Sequence, residues 1–111
     1  MFANTHLDLK DKNKIAQAKF ITSRFKNEKR PIILVGDLNS EPTDPAIKEL
    51  GTLFTKTTIQ KGFTFPQDKP STEIDYIMVN TASHPNFSNH RVLDEKYASD
   101  HRPLYVEIDI K

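Results

Sequence analysis

Four polar clusters hold the residue types that hydrolytic chemistry uses, and each lies where a predicted strand begins or ends. They are Asn4-Thr5-His6-Leu7-Asp8, Gly36-Asp37-Leu38-Asn39, Glu73-Ile74-Asp75-Tyr76-Ile77 and Ser99-Asp100-His101-Arg102-Pro103. Sheet proteins place reactive side chains at strand ends, because the strands hold them while the loops expose them to a ligand. One such cluster carries little information, but several in succession make a hydrolytic site the leading hypothesis.

Hydrolysis of a phosphodiester has requirements that these residue types can meet. The charge of the phosphate must be neutralised, a water must be activated, and the leaving oxygen must be stabilised. Carboxylates can hold Mg²⁺, which prefers oxygen ligands and neutralises the phosphate. A histidine that a carboxylate orients can accept the proton of the water, and asparagine or a second histidine can hold phosphate oxygens.

The composition fits one domain over residues 1–111, with a hydrophobic fraction of 36% that supplies one small core. The 16 Lys and Arg residues against 15 Asp and Glu leave a net charge of +1, which argues neither for nor against nucleic-acid binding. Without cysteine there is no disulfide or thiolate metal site, and the compartment stays open. No apolar run approaches the roughly 20 residues of a membrane span. No signal peptide is visible.

The elements that must position the polar clusters indicate an α/β fold. Apolar residues at helical spacing predict an amphipathic helix over residues 12–27, and a short helix follows Asp44. Strands are predicted at 1–7, 31–35, 74–79 and 104–110, with shorter candidates at 52–58, 63–65 and 89–93. The expected architecture is one mixed, mostly antiparallel sheet with helices on one face. The lysines from Lys10 to Lys29 are expected to form a solvated face, with a nucleic-acid patch as the alternative.

Two of the predicted strands, 31–35 and 74–79, are apolar at consecutive positions, which is typical of strands buried on both faces. The two helices can cover only one face, so the other face is expected to need a partner. We expect a homodimer that packs sheet on sheet through this face, about 10 Å apart. The apolar residues expected to be divided between the two faces are Ile32, Leu34, Ile74, Tyr76 and Met78.

The order of the motifs resembles one known family. Phe-Ala-Asn-Thr-His-Leu-Asp at 2–8, Gly-Asp-x-Asn at 36–39, Thr-Phe-Pro at 64–66, Ile-Asp-Tyr-Ile at 74–77 and Ser-Asp-His at 99–101 carry the resemblance. From Phe2 to Ile110, the chain is similar to the second half of the endonuclease/exonuclease/phosphatase superfamily. That superfamily includes pancreatic-type deoxyribonucleases, apurinic endonucleases, neutral sphingomyelinases, inositol polyphosphate 5-phosphatases and deadenylases. The motifs most resemble those of bacterial members of undefined substrate.

In the first half of the chain, the resemblance assigns a role to three residues. The family histidine at the position of His6 contacts the scissile phosphate, the aspartate at Asp37 helps to position the attacking water, and the asparagine at Asn39 holds the phosphate. Each residue also has a simpler interpretation, with His6 as a surface histidine and the other two as turn formers. Asp8, which is close to His6, matches no catalytic position.

In the second half of the chain, the resemblance assigns three further residues. Asp75 interrupts an apolar strand, where a buried carboxylate is costly unless it is paired, and it is expected to orient His101. His101 corresponds to the general base, and Asp100 corresponds to a metal-site carboxylate, with Mg²⁺ or Mn²⁺ as the ion. The simpler interpretations are a structural cap for Asp75 and a surface turn for Asp100 and His101.

The resemblance covers only part of the family fold, a four-layer α/β sandwich whose two similar halves enclose the site. The principal metal ligand of the family is a glutamate of the first half, and no glutamate of this sequence lies in a matching context. The resemblance therefore implies a C-terminal half of a metal-dependent phosphoester hydrolase, active only when the missing half is supplied and binding its ion weakly alone. The expected substrate is a nucleic acid, a phospholipid head group or a sugar or inositol phosphate. The alternative is a non-catalytic half-domain that acts as an interaction module.

Overall fold

The computed structural model describes residues 1–57 and 62–109 of the 111-residue chain. In chain order the elements are β1 (Phe2–His6), α1 (Asp11–Phe25), β2 (Ile33–Asp37), α2 (Pro45–Leu50), β3 (Phe54–Lys56), β4 (Asp75–Asn80), a short 3-10 helix (Thr81–Ser83), β5 (Asn86–Val92) and β6 (Leu104–Asp109). The last residues of the predicted strands at 52–58 and 104–110 lie outside the described residues. The candidate strand at 63–65 forms only an isolated bridge between Phe65 and Thr72. In the described ranges, no helix has the length and apolar character to cross a membrane.

Strands β1 to β4 form one mixed sheet in the order β1-β2-β4-β3. β1 is parallel to β2, whereas β4 is antiparallel to both β2 and β3. The predicted α/β class with a mixed, mostly antiparallel sheet is therefore confirmed. β5 and β6 do not extend this sheet, because the chain turns out of it at Thr81–Ser83 and the two strands pair with each other.

Both helices pack on the same face of the four-stranded sheet. Side chains alternate along a strand, and the set that includes Leu34, Tyr76 and Met78 points into the core beneath the helices. The buried apolar residues of this core are Leu7, Ala18, Ile32, Leu34, Leu38, Ala46, Ile47, Leu50, Phe54, Tyr76 and Met78. Their removal from water is the main favourable contribution to folding.

Helix α1 packs on the core through Ala18 and the half-buried Ile21 and Phe25, and it also buries two polar residues that its apolar spacing did not indicate. Its buried residues are Lys14, Ala18 and Thr22, which are spaced by four residues along one side, whereas Ile21 is only half-buried. A buried ammonium group is costly unless it is paired, and Lys14 Nζ donates a hydrogen bond to the carbonyl oxygen of Asn39 at 2.6 Å. The lysines of this helix therefore do not all belong to a solvated face.

The second face of the sheet carries the alternate set of side chains and is only partly covered. Strand β6 lies over the β4 side of this face, where Ile108 lines a small cavity with Val79 and Leu104 lines a groove with Ile77. At the β1 side the face is open, and Phe2 keeps 71% of its surface exposed. The chain therefore covers part of this face with its own final strand.

Of the five apolar residues expected to be divided between the two faces, four lie on the same face, and the fifth, Ile74, is half-buried just before β4. Ile32, Leu34, Tyr76 and Met78 all lie in the helix-side core, and within each strand the reason is that residues two apart share a face. The apolar residues of β2 and β4 on the second face are Ile33, Val35, Ile77 and Val79. Because β6 reaches some of them, the uncovered apolar area is smaller than the sequence suggested.

Candidate active site

Three strands bring polar residues to one row at one end of the sheet. His6 ends β1, Asp37 ends β2 and Asp75 begins β4. Because β1 is parallel to β2 and β4 is antiparallel to it, these ends meet: His6 pairs with Asp37, and Asp37 pairs with Asp75. Cross-strand partners point to the same face. All three side chains therefore lie on the face without helices.

The close approach of β1 to β2 depends on Gly36. Its φ is +150°, and a Cβ atom at this position would lie 1.8 Å from the carbonyl oxygen of Thr5. Only glycine, which lacks Cβ, leaves room for this contact. The next pair along the two strands is His6 and Asp37, whose Nε2 and Oδ2 atoms are 3.5 Å apart.

His101 forms a hydrogen-bonded pair with Asp75. His101 Nδ1 lies 2.7 Å from Asp75 Oδ2, and because an ionised carboxylate can only accept, Nδ1 carries the hydrogen. The other ring nitrogen, Nε2, lies 3.7 Å from Asp37 Oδ2. Neutral His101 in this tautomer has its lone pair at Nε2, which is the atom that can accept a proton from water.

Thr64 completes this pair, although the sequence analysis gave it no role. Its buried hydroxyl donates to Asp75 Oδ2 at 2.6 Å, the same oxygen that His101 contacts. Its carbonyl oxygen accepts the backbone N–H of Arg102 at 2.7 Å, which ties the two loops together. In the sequence, Thr64 belongs to the Thr-Phe-Pro motif at 64–66, which carries the family resemblance without giving this residue a role.

The surroundings of His101 favour its protonated form. Burial of the ring disfavours the charge, but the hydrogen bond to Asp75 and the negative charges of Asp75, Asp37 and Asp100 outweigh it and raise the pKa of His101. An imidazolium formed at this position is therefore stabilised. The His101 side chain keeps 25% of its surface exposed, so a small ligand can reach it.

Asn39 occupies the tight turn after β2. Its φ is +45°, a left-handed conformation in which asparagine is enriched. Its backbone N–H donates to Asp37 Oδ1 at 2.9 Å, while Asp37 Oδ2 faces the two histidines. Its side-chain Nδ2 donates to the carbonyl oxygen of Leu7 at 2.6 Å. Asn39 thus joins the strand ends that carry His6 and Asp37.

Asp100 lies at the rim of this cluster. Its side chain is 75% exposed, and its Oδ1 is 4.0 Å from His101 Nε2. Its carbonyl oxygen accepts the N–H of Gln67 at 3.0 Å, which fixes the loop backbone while the carboxylate stays in solvent. The structure therefore brings the two histidines together with Asp37 and Asp75 and leaves Asp100 beside them.

Within the described ranges, one group of side chains has a spacing that could hold a metal ion. It consists of Asp37, Asp75 and His101, whose ligand atoms lie within 4.8 Å of one another. Asp75 Oδ2 already accepts two hydrogen bonds, from Thr64 and His101. The better oxygen donors for a hard divalent ion are therefore Asp37 Oδ2 and the exposed Asp100 carboxylate. Asp37 Oδ2 and Asp100 Oδ1 lie 3.7 Å and 4.0 Å from His101 Nε2, so oxygen donors of the type that hard divalent cations prefer lie on one side of the cluster.

Several solved structures share this fold. A functionally unknown conserved protein from Enterococcus faecalis V583 superposes with a TM-score of 0.82 at 24% identity, over 97% of this chain and 49% of that protein. A mannosyl-6-phosphatase from Bacteroides thetaiotaomicron VPI-5482 gives 0.77 at 20% identity, over 96% and 50%. The human Nocturnin catalytic domain gives 0.71 at 19% identity, over 97% and 46%. The chain spans about half the length of each of these structures.

Sequence comparison gives a result at the level of the family. No curated protein gives a significant match to the chain. The sequence profile of the Endonuclease/Exonuclease/phosphatase family, however, matches residues 5–101, which include both histidines and all four acidic and amide residues of the site. Since this match spans most of the sequence and the fold agrees with it, the chain belongs to the Endonuclease/Exonuclease/phosphatase family.

Proposed function

We propose that this chain is the second half of a divalent-metal-dependent phosphoester hydrolase, and that it becomes active when a first α/β half is supplied. The observation that carries the proposal is the Asp75–His101 hydrogen bond of 2.7 Å, with His101 Nε2 facing Asp37. Membership of the family supports phosphoester hydrolysis. The need for a first half is supported by the relatives, of which the chain spans about half.

In the proposed reaction, a water molecule between His101 Nε2 and Asp37 Oδ2 attacks the phosphorus. His101 accepts the water proton at Nε2, and the negative charge of Asp75 stabilises the resulting imidazolium. A bond forms between phosphorus and the water oxygen while the bond to the leaving oxygen breaks. The leaving oxygen keeps the electron pair of that bond and takes a proton from solvent.

The phosphate itself would be held by groups on both sides of Asp37. His6 Nε2 lies 3.5 Å from Asp37 Oδ2 and its side chain is mostly exposed, so it can donate to a phosphate oxygen. Asn39 is proposed to contribute its side-chain amide. Mg²⁺ or Mn²⁺, when bound, would neutralise the charge of the phosphate, and Asp37 and Asp100 are the residues of this chain that would hold it.

The proposed substrates are phosphoesters of nucleic acids, phospholipid head groups, or sugars and inositols. The family name covers nucleases and phosphatases, and one structural neighbour is named a mannosyl-6-phosphatase. A groove of about 340 Å³ adjoins the site and is lined by Asp37, Asp75 and Arg102, among others. An open groove of this kind can accept a phosphoester group without selecting the rest of the substrate.

The test is turnover by a completed protein. The chain would be produced with a first α/β half, either one encoded in frame before it or that of the Enterococcus faecalis relative, and assayed on bis-p-nitrophenyl phosphate. His101→Asn should lower kcat by at least about a hundredfold, the scale expected for a lost general base, and a chelator should abolish activity. The matched control is His84→Asn, because His84 is an exposed histidine beyond the other end of β4. Full activity in chelator or in His101→Asn would contradict the proposal.

We further propose that the chain by itself forms a homodimer through the partly open sheet face. Ile33, Val35 and Ile77 are half-buried there, and Phe2 is largely exposed. A second copy related by a two-fold axis would cover these residues, with an interface above roughly 1,200 Å² in total. Sedimentation equilibrium at low micromolar concentration is the test, and a stable monomer of 12.7 kDa would exclude the dimer.

The open face also supports an alternative function from a different class, a non-catalytic interaction module. The two functions make opposite predictions for the completed protein. A module would give a stable complex with the first half, or with a second copy, and no turnover of diester or monoester substrates in Mg²⁺ or Mn²⁺. Turnover that depends on His101 would exclude the module as the main function.

A further inference from the structure

Lys14 reaches the turn after β2 from the helix side of the sheet. Its side chain is only 10% exposed, although it belongs to a lysine-rich helix. Nζ donates to the carbonyl oxygen of Asn39 at 2.6 Å and lies 3.2 Å from the exposed carboxylate of Asp11. Burial of an ammonium group costs free energy unless it gains partners. The contact with Asn39 is therefore a specific one, unlike those of a solvated lysine.

The acceptor of this bond belongs to the residue that shapes the site. Asn39 has a φ of +45°, which takes its peptide group out of the line of β2. Because the carbonyl of a half-buried residue in such a turn has no place in the sheet ladder, it needs a donor from another element. Lys14 supplies that donor.

The residues on either side of Asn39 are anchored separately. The backbone N–H of Leu38 donates to the carbonyl oxygen of Ile74 at 2.8 Å, and the hydroxyl of Tyr76 donates to the carbonyl oxygen of Ser40 at 2.8 Å. Both anchors come from β4 or the residue before it. The bond from Lys14 fixes the peptide group that lies between them, and it is the one contact of this set that comes from α1.

We infer that Lys14 is a positioning residue for the candidate active site. By holding the Asn39 carbonyl, which belongs to the Asn39–Ser40 peptide group, it fixes the backbone of the residue whose own N–H, in the preceding peptide group, engages Asp37 Oδ1, and so directs Asp37 Oδ2 toward His6 and His101. Lys14 acts through these residues and does not itself face the row of polar side chains. The catalytic consequence rests on the proposed function, whereas the effect on the turn does not.

The effect on the turn can be measured in the chain itself. Lys14→Met removes the ammonium and keeps the length of the side chain, and Lys19→Met is the matched control at an exposed position of the same helix. Hydrogen exchange of the Asn39 amide, followed by NMR, should accelerate by at least about tenfold in Lys14→Met, since a bond from a charged donor is lost. Lys19→Met should leave it unchanged, and the Leu34 amide should stay protected in both. Wild-type exchange of the Asn39 amide in folded Lys14→Met would overturn the inference.

A chemical rescue separates the charge of Lys14 from its bulk. The sequence has no cysteine, so Lys14→Cys introduces a single thiol. Its thiolate displaces bromide from 2-bromoethylamine, and the new S–C bond gives a lysine analogue that carries an ammonium group. If alkylation restores the slow hydrogen exchange of the Asn39 backbone amide, the inference is supported. If exchange in the alkylated protein stays as fast as in Lys14→Cys, the inference is overturned. If the Met and Cys variants fail to fold and the alkylated protein folds, Lys14 holds the whole fold, and the positioning role is likewise overturned.

The catalytic consequence is measured in the completed protein. Lys14→Met should lower kcat about tenfold with little change in KM, because a misplaced Asp37 affects the reaction step more than substrate binding. An unchanged kcat would overturn the positioning role in catalysis. If the wild-type completed protein is inactive while Asn39 exchange responds as expected, the proposed function fails and the effect on the turn is supported.

Discussion

On the helix side of the four-stranded sheet, Leu34 and Met78 are buried beneath α1 and α2, whereas on the other side their sequence neighbours Val35 and Ile77 are half-buried beside an open groove. Two residues after Val35, on the same second side, lies Asp37. Its cross-strand partners are His6 and Asp75, so this row of the sheet is polar. The same strands therefore carry an apolar face that the helices cover, except for a groove of about 550 Å³ between β1 and α1, and a partly open face that ends in titratable groups. Alternation of side chains along each strand keeps the two faces separate.

This difference shows how a chain of this size can combine stability with a polar site. Most of the apolar side chains are buried on the helix side, so the second side can keep carboxylates and imidazoles within reach of solvent. Adjacent residues of one strand should then respond differently to substitution: one should change the free energy of unfolding and its neighbour should change chemistry or binding. Substitutions at neighbouring positions can test this separation directly.

The largest effect is expected at Gly36, because both faces depend on the spacing of β1 and β2. A Cβ at Gly36 would lie 1.8 Å from the Thr5 carbonyl oxygen, and the φ of +150° disfavours any other residue. Gly36→Ala should lower the free energy of unfolding by more than about 3 kcal/mol, because the strained φ and the backbone clash both contribute, as measured by urea denaturation. Gly51→Ala is the control, because Gly51 has a right-handed φ of −64° and the change there should be within about 1 kcal/mol. Equal effects at the two glycines would show that the approach of β1 to β2 is not limiting.

Neighbouring residues of β2 give the next largest effect. Leu34→Ala should cost about 3 kcal/mol, as in other buried cores, whereas Val35→Ala should cost about 1 kcal/mol. The reason is that Leu34 is buried in the helix-side core, with 2% of its surface exposed, whereas Val35 is half-buried and lines the open groove of the second face. Urea denaturation of the two variants under one set of conditions makes the comparison. A cost at Val35 as large as that at Leu34 would mean that the second face is closed in solution.

The same division explains how far the sequence could predict the fold. Apolar runs and helical spacing located the strands that carry Leu34 and Met78, because burial on at least one face leaves a pattern in the sequence. Consecutive apolar residues cannot show which element covers each face. For this reason the expected division of Ile32, Leu34, Tyr76 and Met78 between the two faces is not found, and the pairing of β6 with β5 was not anticipated.

The site could be predicted only in part, for a similar reason. Short motifs at strand ends identified candidates such as Asp75 and His101, whose proposed roles still await experiment. The hydroxyl of Thr64 and the ammonium of Lys14 act through tertiary contacts. Thr64 lies in the Thr-Phe-Pro motif, which carries the resemblance but does not indicate this contact, and one lysine among several on a helix has no local pattern that reveals one.

Divalent ions should have a smaller effect than Leu34→Ala. The site side of this chain offers the carboxylates of Asp37 and Asp100 as oxygen donors, and Mg²⁺ keeps its waters unless several ligands converge. Calorimetry should therefore give a Kd no lower than about 1 mM for the chain alone. At 10 mM Mg²⁺ the free energy of unfolding should rise by at most about 1.4 kcal/mol, and Asp37→Asn should remove this rise while Asp68→Asn keeps it. A micromolar Kd would mean that another carboxylate of the chain completes the metal site.

The smallest expected effect is a pH dependence that arises on the open face. Burial opposes the charge of His101, yet the hydrogen bond to Asp75 and the nearby carboxylates raise its pKa above the usual value of about 6.5. Because the pKa of His101 is higher in the folded than in the unfolded state, protonation of His101 stabilises the fold. This stabilisation is complete below pH 6.5 and is lost as the pH rises through the folded-state pKa. Burial lowers the pKa of His90. Protonation of His90 therefore favours the unfolded state, so this residue makes the fold less stable as the pH falls.

Because these two contributions have opposite signs, variants must be compared over the same pH range. Asp75→Asn removes the carboxylate that raises the pKa of His101 most, so the decline in the free energy of unfolding above pH 6.5 should become shallower. Val35→Ala, on the same face but without a charge, should keep the wild-type slope. Urea denaturation in a chelator-containing buffer measures the slope, and NMR titration of the His101 ring measures its pKa directly. An unchanged slope together with an unchanged His101 pKa in Asp75→Asn would show that this hydrogen bond does not control the protonation of His101.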